Sequence, residues 1–105
     1  MNSAGSFTIG PDHPALPGHF PGHPIVPGVV LLDRAVLVIG AALGVEQGDL
    51  RLRGIASAKF LAPVAPGERV EVCFAQEAPD IIRFVLQVDG RPVASGALTT
   101  GEATA

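Results

Sequence analysis

Gly28-Val29-Val30-Leu31-Leu32-Asp33-Arg34-Ala35-Val36-Leu37-Val38-Ile39-Gly40-Ala41-Ala42-Leu43 is an unbroken apolar run whose only charges are the adjacent Asp33 and Arg34. Its β-branched residues would allow strands, and periodicity alone does not decide between strand and helix. Length does, because sixteen residues is too long for one ordinary strand. Pro27 suits the first turn of a helix and Gly44 a left-handed stop, so a helix starting at Pro27 or Gly28 is expected. A helix apolar nearly all round is expected to be buried.

Everything downstream reads differently. Leu50, Leu52, Gly54, Ala56, Ala58 and Phe60 alternate with Arg51, Arg53, Ser57 and Lys59, which is the two-residue period of a strand. After the turn at Pro66-Gly67, Val70, Val72 and Phe74 alternate with Glu71, Cys73 and Ala75, and Ile82, Phe84, Leu86 and Val88 repeat the pattern. Asp89-Gly90 is a hairpin signal, and a last strand is predicted from Pro92 to about Thr99, with Gly101 to Ala105 as a frayed tail. Upstream, six of the ten prolines fall between residues 7 and 28, which excludes helix or central strand there. Leu16, Phe20, Ile25 and Val26 can pin that loop to a core, and a short strand is expected near Phe7 to Ile9. A single buried helix must be covered, and a curved antiparallel sheet is the only element left to cover it. The expected fold is α+β: one hot-dog domain over residues 1–105, its sheet wrapped around one long helix.

Composition narrows the functional classes. With 105 residues, 48% of them hydrophobic, but no Trp, no Tyr and five Phe, the core must be aliphatic. Such a chain often completes its burial by forming oligomers. Seven basic and ten acidic residues give a net charge of -3 without runs of like charge, which argues against nucleic acid as a partner. The uncharged apolar stretch from Ala35 to Val45 falls short of the ~20 residues of a membrane span. Met1 to Gly10 lacks the basic start and apolar block of a secretory signal. Cys73 is the only cysteine, so no internal disulfide or multi-cysteine zinc site is possible, and a cytoplasmic location is expected.

Two side chains stand out chemically. His19 lies in the proline-stiffened loop, and its ordinary pKa near 6.5 leaves it able to accept a proton at neutrality. Asp33, in the second helical turn, is expected among side chains that exclude water, where desolvation favours the protonated acid. Such a pair can take a proton from one carbon and protonate a leaving group on the next. The Gly28 amide, at the positive end of the helix dipole and without a side chain in the way, would polarise a carbonyl placed there. No cofactor is required. A metal site built from His13, His19 and His23 is not expected, because Pro21 and Pro24 forbid helical spacing between the last two. Cys73 reads as a packing residue.

His19-Phe20-Pro21-Gly22-His23-Pro24-Ile25-Val26-Pro27-Gly28-Val29-Val30-Leu31-Leu32-Asp33 resembles the active-site signature of the β-hydroxyacyl-[acyl carrier protein] dehydratases, the FabA/FabZ kind. Ala58-Lys59-Phe60-Leu61-Ala62-Pro63-Val64-Ala65-Pro66-Gly67-Glu68 is similar to a second motif of that family. The resemblance implies that His19 takes the α-proton of a 3-hydroxyacyl thioester and Asp33 protonates its 3-hydroxyl. It implies that the Gly28 amide binds the thioester carbonyl and the Ile25 carbonyl orients the histidine ring. It also implies an acyl carrier protein as partner, and a homodimer or higher oligomer with His19 of one chain facing Asp33 of the other. The His19-Phe20 peptide is a candidate for a cis bond, as is frequent in that family.

Two positions qualify the resemblance. Asp33 matches the FabA kind, whereas the FabZ kind carries Glu there. Arg34 follows the acid where a small or apolar residue is usual, and a guanidinium there favours the ionised carboxylate. The alternatives are a hot-dog thioesterase and a non-catalytic acyl-binding or accessory subunit. Arg51, Arg53 and Lys59 form either a solvated strand face or a surface for an acidic carrier.

Overall fold

A computed structural model describes residues 1–13, 25–43 and 51–101. The elements are β1 (Asn2–Thr8), α1 (Gly28–Leu43), β2 (Arg51–Phe60), β3 (Arg69–Ala78), β4 (Ile81–Val88) and β5 (Arg91–Gly101). The strands form one antiparallel sheet in the order β1-β3-β4-β5-β2. β1 and β2 are therefore its two edges, and the chain between them carries α1, which packs mainly on β1 with further contacts to β3 and β2. This is the expected hot-dog arrangement of a curved antiparallel sheet and one helix.

The core sits between helix and sheet. Val30, Leu31, Ala35 and Ile39 of α1 are buried against Val70, Val72, Ile82, Phe84, Leu86, Ala94 and Leu98 of the strands. Alternation on β4 is strict, with Ile82, Phe84, Leu86 and Val88 inward and Arg83 outward, as its period predicts. Asp89 and Gly90 both take positive φ, 52° and 76°, which is the left-handed pair that a two-residue hairpin needs.

Three expectations are corrected. β1 begins at Asn2 rather than near Phe7, because pairing with β3 orders a Ser- and Gly-containing segment of weak strand preference. β2 does not alternate simply. Register shifts between Leu52 and Gly54 and between Ile55 and Ser57 re-phase it, so Ile55 lies opposite Leu98 while Gly54 lies opposite Thr99. Ile55 thereby joins Ala58 and Phe60 on the inner face, and Gly54 leaves it. Finally, α1 is not buried all round. Val29, Asp33, Leu37 and Ala41 form an exposed stripe at four-residue spacing, because the sheet covers only one side of the helix within a single chain. Asp33 is thus open to water in the isolated chain, not desolvated as its neighbours in the sequence suggest.

Packing is close on both sides of Gly96. A methyl group there would lie 2.8 and 3.0 Å from ring atoms of the fully buried Phe84 and would collide with the Ser57 carbonyl oxygen of the neighbouring strand. Backbone on one side and a core ring on the other leave nothing free to yield. Gly96→Ala is therefore expected to destabilise the fold by about 2 kcal/mol, and Phe84→Ala by about 3–5 kcal/mol, both measured by urea unfolding. Unchanged midpoints would contradict this packing.

Candidate active site

The helix start is held by the segment that follows β2. The Val26 amide donates to the Val64 carbonyl at 2.8 Å, and both residues are buried. The Leu61 and Ala62 amides donate to the Val93 carbonyl of β5, at 2.9 and 3.3 Å. Ala65 to Glu68 close a turn by the Glu68 amide to the Ala65 carbonyl and the Ala65 amide to Glu68 Oε1, at 3.2 and 2.7 Å. Prolines 63 and 66 stiffen this segment, which is how it can carry a fixed hydrogen bond to a loop far away in sequence.

α1 opens with the Val30 and Leu31 amides donating to the Pro27 carbonyl, at 3.0 and 3.3 Å. Pro27 has no amide to satisfy, and the amides of the first turn point away from the helix. Beside them lies an open apolar cleft of about 540 Å³. Ile25, Val26, Gly28, Val29 and Leu31 line it from the helix side, and residues 60–64 from the other. Such a surface suits an acyl group, and the helix start offers the dipole a carbonyl oxygen seeks.

The sequence-derived residues are distributed unevenly around this cleft. Gly28 and Ile25 line it together. Asp33, on the exposed stripe, is not among its lining residues, and neither is Arg34. His19, and with it the His19-Phe20 peptide, lies outside the described residues. Phe60, Leu61 and Val64 line the cleft without having been read as site residues. The signal that marks them is the second motif, Ala58 to Glu68.

Cys73 lies elsewhere, opposite Val85 and Ser3 on the outer sheet face. Burial, and then the charge and hydrogen bond of Glu71, push its thiol above the ordinary value. Less thiolate is present at any given pH below that pKa, so iodoacetamide should modify Cys73 more slowly at pH 8 than it modifies free cysteine. Glu71→Gln should speed the reaction. Equal rates in all three cases would refute the assignment.

Residues 2–97 match the ApeI-like family, described as ApeI dehydratase. The 3-hydroxyacyl-[acyl-carrier-protein] dehydratase FabZ of Yersinia enterocolitica is 35% identical over 97 residues, which cover 83% of this chain and 58% of that protein. FabZ of Yersinia pestis (strain Pestoides F) is likewise 35% identical, with 55% of its length covered. The chain thus spans little more than half the length of these relatives. An uncharacterized protein from Erwinia carotovora subsp. atroseptica has a similar structure, with a TM-score of 0.73 and 25% identity over 92% of this chain and 80% of that one. A chain of the dehydratase heterocomplex ApeI:P from Xenorhabdus doucetiae shares the fold, with a TM-score of 0.71 at 22% identity over 90% of this chain and 82% of that one.

Proposed function

The chain belongs to the ApeI-like dehydratase family, and we propose that it dehydrates a 3-hydroxyacyl thioester, carried by an acyl carrier protein, to the trans-2-enoyl thioester. The observation that carries this reading is the helix start at Gly28, opening onto an apolar cleft of acyl-group character. The Gly28 amide holds the thioester carbonyl and stabilises the enolate-like charge. His19, its ring oriented by the Ile25 carbonyl, accepts the proton from C2. Asp33 gives a proton to the 3-hydroxyl, the C3–O bond breaks, the C2=C3 bond forms, and water leaves. Neither metal nor cofactor takes part.

The acid comes from a second copy of the chain. Supporting this, Asp33 lies on an outward stripe between Val29 and Leu37, which are 72% and 58% exposed. β2 is an edge strand with Ile55 and Phe60 about half exposed, so strand and helix together offer an apolar surface to an identical partner. Lys59, exposed opposite Ser95 on the outer face of β2, supplies charge for an acidic carrier protein. Residues 1–105 act as one domain in the cytoplasm, with fatty acid biosynthesis as the setting that the FabZ relatives suggest.

His19→Asn and Asp33→Asn should each lower formation of the enoyl thioester by about a hundredfold or more. Undiminished turnover in either would sink the assignment, and release of free thiol without enoyl product would favour hydrolysis instead. Mixing the two inactive variants gives a sharper result. If each site takes its histidine and aspartate from different chains, re-equilibrated mixtures should recover about a quarter of the wild-type sites. A mixture as inactive as its parents would place both residues in one chain.

A further inference from the structure

We propose that Phe60 positions the thioester: its ring, seated on Gly28, forms the wall along which the substrate reaches the Gly28 amide and so sets which acyl groups are admitted. This rests on the dehydratase reading and adds a residue to it.

A methyl group built on Gly28 would lie 2.6, 2.8 and 3.0 Å from Cζ, Cε1 and Cε2 of Phe60. Those are the outermost ring atoms, so the ring meets the first residue of α1 end-on. Yet Phe60 is 51% exposed, whereas Phe84 in the core is completely buried. A ring so open to solvent adds little to the core of its own chain; besides the surface it offers a second copy, it sets its edge against the helix start.

The backbone on either side fixes that place. Phe60 is the last residue of β2, opposite Ala94, and the next two amides are bonded to the Val93 carbonyl. Four residues on, the Val64 carbonyl holds the Val26 amide, two residues before Gly28. Ring and helix start are therefore tied to one frame. Among the described residues the ring is the only aromatic group lining a cleft of otherwise aliphatic residues. It occupies the space on the Cα side of Gly28, so a thioester approaching the amide is confined to the remaining opening. Without the ring the thioester loses a wall it rests on equally in the bound state and in the transition state, and bulkier acyl groups enter.

The experiment compares the full chain with Phe60→Tyr, Phe60→Ala, Gly28→Ala and the double variant Gly28→Ala/Phe60→Ala. The substrates are 3-hydroxybutyryl-N-acetylcysteamine and its 2-methyl analogue. Phe60→Ala should raise KM for the straight substrate roughly tenfold with kcat within about threefold, and narrow the preference over the branched one. Phe60→Tyr should behave as wild type. The half-exposed ring can swing aside, so Gly28→Ala should fold, displace it, and reproduce the KM of Phe60→Ala. The double variant should then equal either single change rather than their product.

An unchanged KM in Phe60→Ala, or effects that multiply in the double variant, overturns the proposal. Should Gly28→Ala fail to fold, the contrast between Phe60→Ala and Phe60→Tyr still decides it. Binding of crotonyl-N-acetylcysteamine, measured by calorimetry, needs no turnover. If the wild-type chain binds it but dehydrates nothing, the dehydratase reading falls and the dissociation constants of the same variants decide the role of Phe60. A wild-type chain that does not bind it overturns the role of Phe60 as well.

Discussion

One backbone hydrogen bond, from the Val26 amide to the Val64 carbonyl, joins the two parts of the chain on which the site depends. It fixes the register in which the approach to the helix and the segment after β2, both anchored in the core by Val26 and Val64, lie against each other. A buried peptide pair of this kind costs little to form and much to leave unmade. Proline makes it effective, because segments with few accessible conformations lose little entropy when they are brought together. The helix then starts where the loop is anchored, and its first amides face a cleft rather than bulk solvent.

The sheet order gives this anchor its reach. β1 and β2 lie at opposite edges, so the connection between them must cross the concave face, and α1 is the part of it that can bury apolar side chains while satisfying its own backbone. Ile39 and Ala35 are accordingly at the centre of the core. Among the described residues the outward side of the same helix is left uncovered by the sheet, so apolar Val29 and Leu37 flank Asp33 in the open.

Much of this was legible in the residues. Pro27-Gly28 announced the helix start, Asp89-Gly90 the hairpin, and the period of two on β4 its buried face. The β2 bulges were not, because residues such as Arg53 and Ala56 carry no local preference for an irregular step, and the shift is set by pairing with β5. The exposure of Asp33 was hidden for a different reason. An apolar run says that a surface seeks cover, but not whether the cover comes from the same chain or another one. Phe60 was placed on the correct face by its alternation, while its reach to Gly28 depends on the turn geometry of residues 61–64, which no period encodes.

The two bulges of β2 have a bearing on how the chain fares among others of its kind. A long, flat, apolar edge accepts almost any extended peptide in any alignment, and freshly made chains crowd one another. A strand with two irregular steps along its length presents its hydrogen-bonding groups in a twisted, uneven row, which few intruders can follow for more than a few residues. The same irregularity frustrates the repetitive stacking from which fibrils grow. Irregularity at this edge is therefore a protection against indiscriminate pairing.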